Sequence, residues 1–122
     1  MYSSFEDLEV YKATIIFTGE VYKLLEKRPL KNDFAMVDQV RRATISISNN
    51  ISEGFERETD KELIRYLYFS KGSAGEVRNL FNLMVEVGYF ENSDLADLKT
   101  QVTNISKQLA NYIKYVNKRA GY

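Results

Sequence analysis

Glu20, Glu53, Glu76 and Glu86 are the residues of this chain best suited to acid–base or metal chemistry. Carboxylates on neighbouring helices can bridge a metal pair, but that site type takes further ligands from Glu-x-x-His motifs. The chain has no histidine and no cysteine. Zinc fingers, two-histidine iron sites and histidine-assisted nucleophiles are therefore excluded. Gly72-Ser73-Ala74-Gly75 is not a phosphate loop, because it lacks the Gly-Lys-Ser/Thr signature and sits in a helical pattern. The expectation is a non-enzymatic protein with no metal, no other cofactor and no small-molecule substrate.

What remains is polar and basic. The segment 33–55 carries an apolar stripe, Met36, Val40, Ala43, Ile47 and Ile51. Beside it runs a polar stripe of Gln39, Arg42, Ser46, Asn49 or Asn50, and Glu53. Serine and asparagine are poor helix-interior residues, so such a run needs a reason. Two glycines, Gly72 and Gly75, interrupt a later helix and would permit close helix approach. Ser73 and Glu76 lie on one face, where Glu76 could meet Arg42 or Asn50 across a helix–helix contact. The expectation is a mostly buried network of Arg42, Asn50, Glu53, Ser73 and Glu76, in which Glu76→Ala lowers thermal stability clearly.

Four helices must position these residues, over roughly 5–27, 33–55, 60–88 and 93–118. Ser4 with Asp7, Asn32 or Asp33, Thr59 with Glu62, and Asn92 or Ser93 supply the starts. Pro29, Gly54 and Gly88 supply stops. No stretch alternates long enough for a strand. The connections are short, so neighbouring helices should run antiparallel. The last helix shows a heptad seam, Leu95, Leu98, Val102, Ile105, Leu109, Tyr112 and Val116. The expected fold is all-α, one antiparallel up-down-up-down four-helix bundle spanning residues 1–122.

The first helix carries two apolar stripes. Leu8, Tyr11, Ile15, Gly19 and Tyr22 form one, and Val10, Thr14, Phe17, Val21 and Leu24 the other. A bundle helix needs one buried stripe, so the second suggests another copy of the same chain. Val10, Phe17, Val21 and Leu24 are the candidate oligomer interface.

Length and composition agree. The 122 residues hold 17 basic and 17 acidic groups and 44% hydrophobic residues, which fits one soluble domain. Residues 1–91 carry net −3 and residues 92–122 net +3, so the last helix is the basic one. No apolar run approaches the ~18–20 residues of a membrane span, and no basic-then-apolar leader opens the chain. The expected place is the cytoplasm, with no membrane partner.

Three segments together resemble the 23S ribosomal RNA intervening-sequence protein family. They are Phe5 to Tyr11, Gln39 to Gly54 with Arg57, and Gly72-Ser73 followed by Glu76. The resemblance implies a helical bundle, assembly as a homopentamer, no enzymatic activity, and an association with ribosomal RNA. It marks Gln39, Arg42, Ser46, Asn50, Glu53, Gly54, Ser73 and Glu76 as motif residues, structural or partner-facing. A related, strongly basic branch serves as the accessory protein of diversity-generating retroelements, binding nucleic acid and a reverse transcriptase.

Two functions follow as expectations. One is an oligomer that binds structured RNA through Arg41, Arg57, Lys61, Arg65, Lys71, Arg78, Lys107, Lys114, Lys118 and Arg119. The other is a protein-binding scaffold or adapter, such as a reverse-transcriptase accessory protein, whose nine tyrosines and seven phenylalanines would supply the contact area.

Overall fold

Capping chemistry sets where the helices begin and end. The computed structural model describes residues 2–122 and contains α1 (Glu9–Leu25), α2 (Phe34–Glu56), α3 (Asp60–Glu86) and α4 (Asn92–Ala120). Short 3-10 turns at Phe5–Asp7 and Leu30–Asn32 precede α1 and α2. No strand occurs among the described residues. The Asp33 carboxylate accepts from the Met36 N–H at 3.0 Å, and Thr59 Oγ1 accepts from the Glu62 N–H at 3.2 Å. α4 starts one residue ahead of its expected start, where the Glu91 N–H donates to Asp94 at 2.8 Å. Gly88, at φ +84°, turns the chain out of α3.

α1 and α3 end two residues earlier than expected, at Leu25 and Glu86, α4 runs on to Ala120, and two expected boundary residues act differently. Ser4 caps the 3-10 turn rather than α1, because Leu8 is extended (ψ 130°) and separates the two. Gly54 does not stop α2, which runs two residues further to Glu56.

Each helix packs against its neighbours in sequence, and α1 also packs on α4. α1 and α3 thus occupy diagonal corners. Across α2 and α3, Gly54 meets Tyr66, Ile47 meets Ser70, Ser46 meets Ser73, and Gln39 meets Glu76. Residue numbers fall on one helix as they rise on the other. Glu20 with Gln101 joins α1 to α4, and Asp60 with Arg119 joins α3 to α4.

The core is a continuous apolar column. Phe17 of α1 and Phe81 of α3, both fully buried, meet edge to face across the diagonal at 6.3 Å. This corrects the assignment of the two α1 stripes. Val10, Phe17, Val21 and Leu24 are all buried within one chain, so they are core residues rather than an oligomer interface. The stripe left outside holds Ile15 at 48% exposure and Tyr22 at 40%. Spacing alone shows that α1 has two apolar stripes a third of a turn apart. It does not rank them, because both have helical period.

One joint at the bundle end titrates. The Tyr89 hydroxyl donates to Asp33 at 2.7 Å, tying the α3–α4 turn to the start of α2. The Met36 amide, then this hydroxyl, hold the Asp33 carboxyl below its ordinary value. A carboxylate depressed by folding adds stability above its unfolded pKa and loses it as pH falls through the folded value. Asp33→Ala is therefore expected to melt lower than the parent at pH 7. The gap should close as pH drops below about 4. Paired melting curves from pH 7 to pH 3 check this, and a gap that stays constant would refute it.

Candidate functional site

The polar motif lies along the α2–α3 seam. Its residues come from two helices whose close packing depends on small side chains. A Cβ at Gly54 would lie 2.7 Å from Tyr66 Cβ, so only glycine lets the helices approach this closely. Gly72 and Gly75 have nothing within 4 Å of such an added atom. Close approach thus belongs to Gly54 and not to the pair expected to provide it.

Above Gly54 the seam divides into separate contacts rather than one network. Asn50 Nδ2 donates to the Ser46 carbonyl at 2.8 Å and to Ser46 Oγ at 2.9 Å. Ser73 Oγ donates to Ser46 Oγ at 2.9 Å. Gln39 Nε2 reaches Glu76 at a long 3.4 Å. Arg42 turns outward to Asp38 at 2.8 Å and keeps 79% of its side chain exposed. Glu53 faces Arg57 at 3.5 Å with its side chain 55% exposed. The expected buried network is therefore corrected: Arg42, Glu53 and Glu76 stay in solvent, and only the Ser46–Asn50–Ser73 group is partly buried. Solvation costs a charged side chain less than burial beside a partner. Surface groups of this kind change stability by about 0.5 kcal/mol or less. Glu76→Ala is accordingly expected to leave the melting temperature nearly unchanged in a thermal scan, against the clear loss that a buried network implies.

Sequence reading missed the contact that does tie the two helices internally. Ser70 Oγ, fully buried, donates to the Ile47 carbonyl at 2.7 Å. Its signal was a serine at a core position of the α3 repeat, beside Leu67 and Ala74.

Four of the motif residues, Gln39, Arg42, Ser46 and Glu76, line an open groove of about 460 Å³ together with Ala35, Asp38 and Ala43. A second cavity of about 450 Å³ sits at the α2–α3 turn, bounded by Phe55, Arg57, Asp60, Tyr112 and Arg119 among others. Both arginines there are engaged. Arg57 donates to the Tyr66 hydroxyl at 2.6 Å, and this bond raises its pKa. Arg119 donates to Asp60 at 2.7 Å, and this bond raises its pKa too. Burial pushes the Tyr112 hydroxyl up. Opposite charges offset each other in this cavity.

The ten candidate basic contacts separate by environment. Arg57 and Arg119 hold the bundle end, Arg65 pairs with Glu62 at 3.6 Å, and Arg41 lies over the Tyr22 ring at 5.9 Å. Lys61, Lys71, Arg78, Lys107, Lys114 and Lys118 have no carboxylate within 4 Å among the described residues. Lys71 and Arg78 are two turns apart on α3, as are Lys107 and Lys114 on α4. The register fixed by Asp60 and Arg119 sets Lys71 level with Lys107 and brings Arg78 near Lys99.

No group of three or more His, Cys, Asp or Glu side chains among the described residues could hold a metal ion. Among the described residues no helix is long and apolar enough to cross a membrane.

The family model of the 23S rRNA-intervening sequence proteins matches residues 6–111. The chain belongs to this family. That family's description names no reaction. Among solved structures, the chain is similar to a protein of unknown function from the S23 ribosomal protein family of Bacteroides thetaiotaomicron. The match has a TM-score of 0.80 at 23% identity and covers 86% of this chain and 95% of that one. At that identity the likeness carries the four-helix fold alone. A search of curated proteins gave no significant match. The three family segments fall on the first 3-10 turn and the start of α1, on α2 and on the middle of α3, and the last two lie along the α2–α3 seam.

Proposed function

We propose that this family member is a non-enzymatic, cytoplasmic homo-oligomer, folded up-down-up-down, that binds structured RNA through its α3–α4 face. The observation that carries the RNA reading is the row of Lys71, Arg78, Lys107 and Lys114, which lack acidic partners and run in two parallel lines along adjacent helices. Phosphates recur along an RNA strand, so a two-line basic surface meets several of them at once, releasing counterions. A neutral chain gains avidity by presenting several such faces together, and the family resemblance sets the expected number of copies at five. Opposed numbering across the α2–α3 contacts supports the up-down course.

Replacing Lys71, Arg78, Lys107 and Lys114 together by glutamine tests the face. The slope of log affinity against log salt should shrink by about 0.7 to 0.9 for each phosphate contact removed. Titration of both proteins into a labelled RNA hairpin between 50 and 200 mM salt measures it, and equal slopes would rule the face out.

The scaffold reading keeps one observation in its favour. Tyr2, Tyr22, Tyr68, Tyr115 and Tyr122 are all exposed, and none of the nine tyrosines is fully buried. Exposed tyrosines suit protein contacts. If RNA does not bind, protein partners become the search.

A further inference from the structure

Two outward helix faces lie on diagonal corners of the bundle, and each has a bare glycine at its centre. On α1 the outer stripe reads Lys12, Ile15, Gly19, Tyr22 and Glu26 at three- and four-residue spacing. On α3 it reads Arg65, Phe69, Gly72 and Glu76. Ile15, Tyr22 and Phe69 are 48%, 40% and 46% exposed. Glycine weakens a helix interior relative to alanine. An added Cβ at Gly19 or Gly72 would meet nothing within 4 Å, so packing within one chain requires neither.

We infer that the α1 face of one copy docks on the α3 face of a second copy, the two helices crossing antiparallel at Gly19 and Gly72. This rests on the homo-oligomeric reading above and gives it an interface. The charges select both partner and direction. Setting Gly19 against Gly72 in opposed directions places Glu26 at Arg65, Tyr22 at Phe69, and Lys12 within one turn of Glu76. The parallel arrangement would set Lys12 against Arg65, two like charges. Glu26 now reaches Lys31 at 3.1 Å and Arg65 reaches Glu62 at 3.6 Å. Both are exposed pairs of little worth, so either can exchange partners. The two faces differ, so the contact is head-to-tail and builds a ring when its rotation closes. Removing a Cβ at the crossing lets two backbones come close enough for the flanking aromatic and aliphatic groups to interlock.

Charge exchange tests the pairing. Native mass and sedimentation would be recorded for the parent, Glu26→Arg, Arg65→Glu and the double variant. Helical circular dichroism would confirm that each is folded, which the exposure of both sites favours. The expected result is an assembled parent at micromolar concentration and dissociation of each single variant with at least tenfold weaker association. The double variant should reassemble. Gly72→Leu, on an open surface, should fold and fail to assemble. An assembled parent indifferent to all four changes would overturn this interface and leave the homo-oligomer standing. Dissociation of both single variants without rescue in the double variant would also overturn it, and dissociation of Glu26→Arg alone would overturn it in favour of α1 docking on α1, where Lys12 and Glu26 complement each other. A parent that stays monomeric would overturn the interface and the homo-oligomer together.

Discussion

Phe17→Ala is expected to lower stability by about 3–5 kcal/mol, the cost of truncating a buried aromatic. Phe17 is fully enclosed and meets Phe81 edge to face at 6.3 Å. The change removes apolar burial, leaves a cavity between diagonal helices, and orphans the Phe81 ring edge. Domains of this size hold about 5–15 kcal/mol in total, so a large fraction of the fold's stability goes. At about 4 °C per kcal/mol the melting temperature falls by roughly 12–20 °C. Because Phe17 is core and not interface, the unfolding loss should not depend on protein concentration. Ile15→Ser, on the outer α1 stripe, should give the reverse pattern: a small change in the monomer and a loss of assembly. Melting curves at two concentrations separate these. A Phe17→Ala variant that melts like the parent but dissociates would restore the original interface assignment.

Gly54→Val is the second large effect. The added Cβ would sit 2.7 Å from Tyr66 Cβ and 3.4 Å from both Leu63 Cδ1 and the Leu63 carbonyl oxygen. Tyr66 Cβ is anchored to its backbone, so relief requires α2 and α3 to separate along their tightest contact. Overpacking of this kind costs about 1–3 kcal/mol. Valine's branch gives back little helix propensity, so the upper end is expected. Gly75→Ala is the matched control. It changes a mid-helix glycine with open space above it, and should raise stability by up to about 1 kcal/mol. Opposite signs for two glycine substitutions in neighbouring helices would tie the effect to packing. A destabilisation shared by both would instead point to the backbone.

Much of the fold was legible because helix periodicity and capping are local. Asp33 and Thr59 cap where their side-chain chemistry requires, and the α4 seam from Leu95 to Val116 is buried except at Tyr112, which is half-buried while its neighbour Ile113 turns into the core. The failures share one physical cause. Which α1 stripe turns inward depends on what the other three helices present to it, and a single helix carries no record of that. Gly54 reads as a terminator from its local sequence, yet its role is set by Tyr66, twelve residues away on another helix. The candidate site was half legible. The motif residues do converge on one seam, as the run of serine and asparagine suggested. Their burial was misjudged, because a polar stripe beside an apolar one lies at the rim of the core, where Arg42 and Glu76 reach water at no cost. Among the basic residues, sequence listed ten equivalents. Only the helix register separates Arg57 and Arg119, which hold the bundle end, from Lys71, Arg78, Lys107 and Lys114.

Titration of the purified full chain into a labelled structured RNA, at 50 mM and 150 mM salt with native mass recorded on the same preparation, tests the central claim most directly. An assembled protein whose affinity drops steeply between the two salts is the expected result, since several phosphates would be neutralised at once. An absence of binding at micromolar protein, even at 50 mM salt, would contradict RNA association and leave the chain a protein-binding bundle.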